Sequence, residues 1–537
     1  MERISPTASY RDLHASFRWD VPPHFNFGAD VIDAWARDPE RLALIWANDK
    51  GEERRLTFRD VSRLSNRLAN HLRARGVAKG DRVVVMLPRI PEWQIALIGC
   101  LKIGAVPIPC VTMLTRKDLD YRIGHSGAVA VITTADNVAK FADGPAVRLA
   151  VGGGEGWDDF EQALAAQDDD FSAAQVSAED PAIMFYTSGS TGMPKGVCHA
   201  ARALYAWRFS ARYWLSLTDE DVMWCTADTG WSKAGTSILF GPWSCGATVF
   251  FYDGPFDPEK RLELLSRYGV TVYCAAATEI RQILQKDPAR AKLEALRLTV
   301  SAGETVNPDI VNAWMAQVGS LLLDGYGQTE TLMTVLNYPF MTVKPGSMGR
   351  PLMGIEAAVL REDGAIASAG ENGRLAIRAP NPQLMLGYWN DPDRTRNNYV
   401  DYDGVTWFLT GDMASMDEDG YFYFRGRDDD IISSAGYRIG PTEVENALCE
   451  HPAVAECAAV ASPDPERGEV VKAFIVLKEG VRGDDALARE IQELTKSLTA
   501  PYKYPRKIEF VPSLPKTPTG KIQRHLLKER EFAGERT

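Results

Sequence analysis

Between Thr57 and Ala275 the chain alternates helix-like and strand-like segments, and its strands are apolar almost from end to end. Thr57-Phe-Arg-Asp60 reads as a helix start with an acidic capping box; Val61, Leu64, Leu68 and Leu72 follow at helical spacing, and Gly76 suits the stop. Arg82–Leu87 then reads as a strand, Glu92–Ile103 as a helix, Ala105–Ile108 as a strand and Lys117–His125 as a helix. Strands at Ala128–Ile132 and Ala182–Tyr186 continue the pattern, as do the strand Thr248–Tyr252, the helix Pro258–Tyr268 and the strand Thr271–Ala275. Strands without an exposed polar face, separated by helices, imply parallel sheets covered on both faces. In such sheets ligands bind beyond the carboxyl ends of the strands. The segment 187–196 is expected at such an end.

From about Pro345 the pattern changes to short strands and tight turns, at Glu362-Asp-Gly364, Glu371-Asn-Gly373 and Asp417-Glu-Asp-Gly420, which suggests a small antiparallel barrel. After Arg427 a compact α+β segment completes the chain. At 537 residues more than one core is expected.

The stretch with the clearest chemical meaning is Tyr186-Thr-Ser-Gly-Ser-Thr-Gly-Met-Pro-Lys-Gly196. An apolar strand runs into Thr187, Ser188, Gly189, Ser190, Thr191 and Gly192, with Lys195 close behind. Gly189 and Gly192 permit close backbone approach. Consecutive N–H groups, the hydroxyls and the Lys195 ammonium can together cradle phosphate oxygens. The Walker A spacing does not fit. A plain Gly/Ser linker would not follow a buried strand or carry a single Pro-Lys-Gly.

That loop is similar to the signature of the acyl-adenylate-forming (AMP-binding) superfamily. Tyr326-Gly-Gln-Thr-Glu330, Thr410-Gly-Asp412, Gly426-Arg-Asp-Asp-Asp430, Gly436-Tyr-Arg-Ile-Gly440 and Pro515-Lys-Thr-Pro-Thr-Gly-Lys521 follow in the family's order and extend the resemblance over nearly the whole chain. The resemblance implies a large N-terminal domain, 1–427, of two doubly wound α/β subdomains plus a small β-barrel. A small mobile α+β C-terminal domain, 428–537, would follow, with Asp429 at the hinge.

It also implies ATP and CoA as co-substrates, with Mg²⁺ accompanying ATP. Such an enzyme joins a carboxylic acid to AMP, releases pyrophosphate and passes the acyl group to CoA. The work is then mostly positioning and charge neutralisation around the α-phosphate. Thr187 to Lys195 would cradle phosphates, Glu330 would bind the metal, and Thr329 would touch phosphate. Mg²⁺ takes one or two carboxylates and keeps waters, so no His/Cys cluster is required. Asp412 and Arg427 match ribose contacts; Gly303, Glu304, Gly325, Tyr326, Gly327 and Gln328 match the adenine slot and its surroundings. Lys521 matches the lysine that reaches the α-phosphate, and its setting resembles sites of regulatory lysine acetylation, so a lysine acetyltransferase or deacetylase is an expected partner.

For CoA, Gly436 and Tyr437 match the pantetheine tunnel, and Arg438, Arg467, Lys496 and Tyr504 match nucleotide contacts of medium-chain acyl-CoA synthetases. In the acyl pocket Trp231 and Gly303 match lining positions. Acetyl-CoA synthetases carry tryptophan where this chain has Gly327, and a glycine there is expected to open the pocket to medium-chain, branched or compact cyclic acids. The alternatives are an adenylating enzyme that loads a carrier protein, against which Arg438, Arg467 and Tyr504 count, and a catalytically silent nucleotide-binding regulator, which would be expected to lack Lys521, Glu330 or Asp412.

Composition bounds the rest. A net charge of −12 argues against nucleic acid as the main partner. From Lys496 to Lys528, however, eight Lys or Arg stand against Glu509 alone, a candidate patch for a polyanionic small molecule. The eight cysteines (100, 110, 198, 225, 245, 274, 449, 457) show no C-x-x-C pair and read as buried thiols in a reducing compartment. The seven histidines form no catalytic or metal pattern and read as structural, His199 alone lying near the expected site. Met1–Asp20 has no apolar core, and the longest apolar stretch, Ile95–Val111, is broken by Lys102, Pro107 and Pro109. No membrane association is expected, and the cytoplasm is the expected location.

Overall fold

Thr57 caps the helix Phe58–Ala74 as its sequence predicts: its hydroxyl accepts from the Asp60 N–H, and the Asp60 carboxylate accepts from the Thr57 N–H. The computed structural model describes residues 3–141, 144–187, 193–303, 306–427, 430–434, 437–464, 467–499, 503–516 and 522–533. Ser188, Gly189, Ser190, Thr191, Gly192, Glu304, Asp429, Gly436 and Lys521 lie outside the described residues, and the side chains of Tyr437 and Arg438 are likewise not described. The chain divides into two compact units, Met1–Glu356 with Ala379–Tyr399, and Ala357–Arg378 with Val400–Thr537.

The first unit contains two large sheets. One is fully parallel, in the order 106–109, 82–85, 130–134, 147–151, 158–159. The other has nine strands, in the order 350–351, 332–336, 321–328, 298–302, 272–274, 222–225, 248–253, 42–48, 53–57. Its six central strands, from 321–328 to 42–48, run parallel; antiparallel strands close both edges. The helix Pro91–Lys102 is buried on every side, as its all-round apolar sequence requires. Val84, Ile108, Leu119 and Val131 form a core on the first sheet, and Ile45, Trp224, Phe250, Ile280, Trp314 and Leu322 one on the second.

One expectation is corrected. The strand 181–187 does not continue a parallel sheet: it pairs antiparallel with 195–200, which pairs with 387–388. The reason is connection length. Residues 188–194 are enough for a hairpin, whereas a parallel return needs a crossover of roughly a dozen residues or more. The hairpin packs on the core of the first sheet through the buried Met184.

In the second unit, strands 357–360, 373–378, 399–402, 405–416 and 422–427 form an antiparallel sheet where the short-strand pattern begins. The turns at Gly364 and Gly420 have φ of +84° and +80°, as their Asp-Gly sequences require. A second sheet has the order 437–439, 432–434, 468–477, 454–464, with 507–510 parallel to 468–477. Helices 441–449, 485–498 and 524–533 complete this unit around Ile432, Val444, Leu448, Val471, Ile475 and Ile491. No helix among the described residues is long and apolar enough to cross a membrane.

Candidate active site

Four neighbouring parallel strands of the nine-stranded sheet end beside one another, and their carboxyl ends carry the residues that the motifs single out. Strand 321–328 leads into Thr329 and Glu330, strand 298–302 into Gly303, and strand 222–225 into the loop that ends at Trp231, with 272–274 between them. This is where a parallel sheet offers its ligand crevice.

Each end is pinned by contacts from elsewhere in the unit. The Thr329 carbonyl accepts from His199 Nε2 at 2.6 Å, and the Thr329 hydroxyl lies 3.1 Å from Ser232 Oγ. His199 is fully buried, and desolvation pushes its imidazole down to about 4, so it is neutral. A carbonyl only accepts, so the proton sits on Nε2. Lys233 Nζ donates to the Ala302 carbonyl at 3.1 Å, just before Gly303, whose φ is +91°. In the Trp231 loop, Thr229 donates to the Leu87 carbonyl at 2.7 Å, and Gly230 packs so closely on Cys110 and Val111 that a Cβ would lie 2.3 Å from the Val111 nitrogen.

Tyr388 joins this cluster to the hairpin. Its hydroxyl donates to Glu330 Oε1 at 3.0 Å, and its ring carries the Lys195 ammonium 5.1 Å from the centroid. The Tyr388 phenol is pushed up by burial first and then by the Glu330 charge. Thr187 and Lys195 face one another across the hairpin, on either side of residues 188–192. Glu330 thus offers a half-buried carboxylate of the hard-oxygen type that Mg²⁺ takes, and no group of three His, Cys, Asp or Glu that could hold a metal is present among the described residues.

Gly327 has a structural cause of its own. It pairs with Met333 where the register shifts, and a Cβ on it would stand 2.1 Å from the Leu332 carbonyl oxygen. The neighbouring backbone already fills the space a side chain would need, so its glycine does not by itself measure the acyl pocket. Gly325 is similarly crowded, by Leu336 and Trp214. Tyr326 and Gln328 are half-buried beside it.

In the second unit, Asp412 and Arg427 are partners across the pair 405–416 and 422–427, with Arg427 Nε 3.7 Å from Asp412 Oδ1. Asp412 is buried; Gly411 before it has φ +74°, and the Asp412 N–H donates to the Thr410 hydroxyl at 3.2 Å. Gly440 allows the Arg425 carbonyl to pass, since a Cβ would meet that oxygen at 2.0 Å. Arg467 is exposed, and its N–H donates to Asp464 Oδ1 at 3.0 Å. Lys496 Nζ lies 5.6 Å from the Tyr504 ring centroid, and Arg506 stands over the same ring at 5.1 Å while donating to its hydroxyl at 3.2 Å.

The basic C-terminal stretch is less exposed as charge than its sequence implies. Lys503 pairs with Glu443, Lys516 with Glu456, and Arg524 with Glu445, all acids from outside that stretch. Lys496 and Arg506 are exposed and share the Tyr504 ring, and Lys496 also reaches the exposed Glu493 at 3.5 Å. Sequence reading missed Ser232, Tyr388 and the full role of His199, whose partners lie far away along the chain.

Residues 32–389 match the AMP-binding enzyme family and residues 443–521 its C-terminal domain. The chain belongs to the AMP-binding enzyme family. It is 41% identical to the acyl-coenzyme A synthetase ACSM3, mitochondrial, of Pongo abelii, over 98% of this chain and 93% of that protein. It is 41% identical to the human ACSM5, also mitochondrial, over 95% and 91%. Among solved structures it is similar to the anthranilate CoA ligase AuaEII in complex with anthranoyl-AMP (TM-score 0.87, 30% identity, 96% of this chain and 99% of that one). A benzoate CoA ligase from Burkholderia xenovorans LB400 is also similar (TM-score 0.82, 30%, 94% and 100%). These relatives overturn the cytoplasmic expectation: ACSM3 and ACSM5 are mitochondrial proteins. That expectation was a default, drawn from the lack of an apolar core in the first residues rather than from any positive signal.

Proposed function

We propose that the acid this enzyme activates is a medium-chain, branched or compact cyclic carboxylate. The reaction is ATP-dependent acyl-CoA formation, with ATP, CoA and the acid as small-molecule substrates and Mg²⁺ accompanying ATP. The acid's oxygen attacks the α-phosphorus, pyrophosphate leaves, and the CoA thiol then displaces AMP from the acyl carbon. The single observation that carries the site is the convergence of Trp231, Gly303, Thr329 and Glu330 at the ends of neighbouring parallel strands. The ring-acid ligases among its structural relatives support compact cyclic acids in particular.

In this reading Thr187 to Lys195 grip the phosphates, and Thr329 is held at them by His199 and Ser232. Glu330 would hold Mg²⁺, which supplies charge neutralisation on the phosphates. Tyr326 walls the adenine, Asp412 and Arg427 take the ribose, and Lys521 takes the α-phosphate. Gly436, Tyr437, Arg438, Arg467, Lys496 and Tyr504 serve CoA, with Asp429 as the hinge between half-reactions. Domain limits of 1–427 and 428–537 belong to the same reading, as does a lysine acetyltransferase or deacetylase acting on Lys521; acetylation there would remove the charge adenylation needs.

The test is CoA-dependent AMP release across acids from acetate to octanoate, with isobutyrate, benzoate and cyclohexanecarboxylate. The highest kcat/KM is expected on an acid larger than propionate; a maximum on acetate would overturn the substrate assignment. Pocket discrimination of about 1–3 kcal/mol per methylene implies overlapping rather than exclusive specificity.

A further inference from the structure

The segment that would grip the phosphates leaves a strand at Thr187 and re-enters one at Lys195, and both of its flanks are tied to one helix, Arg116–Ser126. On the exit side, Tyr121 donates its hydroxyl to the Pro194 carbonyl at 3.0 Å. On the entry side, the Tyr186 hydroxyl lies 2.8 Å from His125 Nδ1 and 3.4 Å from the Arg122 carbonyl. The Arg122 guanidinium stands over the Tyr186 ring, 5.4 Å from its centroid. Tyr121 and His125 are four residues apart, on one face of the helix, and their rings stack at 5.4 Å with an 18° tilt.

The helix itself is held at both ends. Thr115 and Asp118 form a capping box at its start, and Gly127, with φ +64°, ends it. The Asn390 side chain donates to the His125 carbonyl at 3.0 Å, two residues after Tyr388. A cavity of about 160 Å³ opens beside the group, lined in part by Tyr121, His125, Lys195 and Tyr388. Burial is the larger influence on His125 and lowers its pKa against the Asp391 charge; in either neutral tautomer the imidazole and the phenol share one hydrogen bond.

We propose that Tyr121, His125 and Tyr186 are positioning residues for ATP: a bracket that fixes the separation of the two flanks of the phosphate-gripping segment. The proposal rests on the reading of Thr187 to Lys195 as that segment. A phosphate cradle made of backbone N–H groups works only if its donors stand ready before the reaction, because reorganising them during it raises the barrier. Two hydroxyl contacts, one made by the helix to Pro194 and one made to it by Tyr186, supply that constraint without touching the substrate. The bracket bears on the step that handles the triphosphate and not on the step that consumes acyl-AMP.

The test compares half-reactions in Tyr121→Phe, His125→Phe and His125→Asn. Tyr121→Phe removes one hydroxyl. His125→Phe keeps the ring on Tyr121 but loses the bond to Tyr186, and His125→Asn restores a polar partner. Each loss of one hydrogen bond is expected to raise the KM for ATP in acyl-AMP formation by about 2- to 10-fold. Conversion of supplied acyl-AMP and CoA to thioester is expected to keep its wild-type rate, and His125→Asn to recover most of the ATP affinity lost in His125→Phe. Equal loss in both half-reactions, together with a lowered Tm, would mean that these residues only stabilise the fold, and would overturn the proposal. Lys195→Ala serves as the reference. If it raises the KM for ATP while the bracket variants do not, the bracket alone is wrong; if it leaves the KM unchanged, the phosphate-gripping reading falls and the bracket falls with it.

Discussion

The two units hold their candidate site residues by different physics. In the first unit Thr329 is fixed by a buried neutral imidazole and a serine hydroxyl, and the half-buried Glu330 carboxylate accepts from a buried phenol. In the second unit the corresponding residues sit among ion pairs and exposed cations: Arg427 beside Asp412, and Lys496 and Arg506 over Tyr504. Neutral hydrogen bonds in a low-dielectric interior are strong and insensitive to salt, whereas exposed charges are screened and adjustable. The first arrangement suits a scaffold that must be ready before ATP arrives. The second suits groups that serve two anionic substrates in turn.

The largest effect expected from breaking this contrast is at Lys521. If its ammonium neutralises charge at the α-phosphate, Lys521→Ala should slow acyl-AMP formation by about 10²–10³-fold, the usual cost of one lost stabilising donor. It should still convert supplied acyl-AMP and CoA to product. Gly436→Leu should show the reverse, forming acyl-AMP while blocking the thiol. Single-turnover assays of the two half-reactions separate these patterns, and a common defect in both variants would dissolve the proposed division of labour.

Asp412→Ala comes next. The carboxylate is buried and would accept charge-assisted bonds from ribose, each worth about 1.5–3 kcal/mol, so ATP affinity should fall by roughly 10- to 150-fold. The KM for the acid should change less. Wild-type ATP affinity in the variant would remove Asp412 from the nucleotide clamp.

Local structure was legible in the sequence wherever the signal itself was local. The helix 58–74 announced itself through Thr57 and Asp60, and the turns at Gly364 and Gly420 through Asp-Gly. Pairing direction was not legible for 181–187, because an apolar run reads alike in parallel and antiparallel sheets and only the length of 188–194 distinguishes them. Gly327 was read as an absent pocket wall, whereas the Leu332 carbonyl occupies the space beside it, a neighbour set by a register shift that no motif encodes. The hold of His199 on Thr329 spans 130 residues, and that of Tyr388 on Glu330 spans 58. The basic stretch near the C-terminus overstated its charge because Glu443, Glu445 and Glu456 come from earlier strands and helices.

A smaller effect, on stability rather than rate, is expected at Asp324, just before the Tyr326–Glu330 motif. Burial pushes its carboxyl up to about 7, against the donated N–H groups of Val306 and Gly325. A carboxyl whose folded pKa lies above its unfolded value of about 3.9 contributes stability below that value and loses it as pH rises through the folded one. The wild type should therefore lose Tm relative to Asp324→Asn between about pH 4 and pH 7, with a constant gap above that. A gap independent of pH over this window would show that Asp324 is ionised in the folded protein.

The smallest effect should come from Lys496, and it sharpens the comparison most directly. Its ammonium is exposed and shares the Tyr504 ring with Arg506, so the removal of one cation leaves the other in place. Exposed charge contacts are worth about 0.2–1 kcal/mol, which sets the expected rise in the KM for CoA on Lys496→Ala at roughly 1.5- to 5-fold. Tyr504→Ala should cost more, because it releases both cations from a common platform. Salt supplies the control. Between low ionic strength and about 0.5 M, screening should weaken CoA binding in the wild type and shrink the difference between wild type and Lys496→Ala. The contacts of His199 and Ser232 with Thr329 are neutral, so their share of ATP binding should show no such convergence. If the Lys496 effect persisted undiminished at high salt, its role would be steric or structural, and the contrast between a neutral scaffold and a charged, adjustable surface would lose its second half.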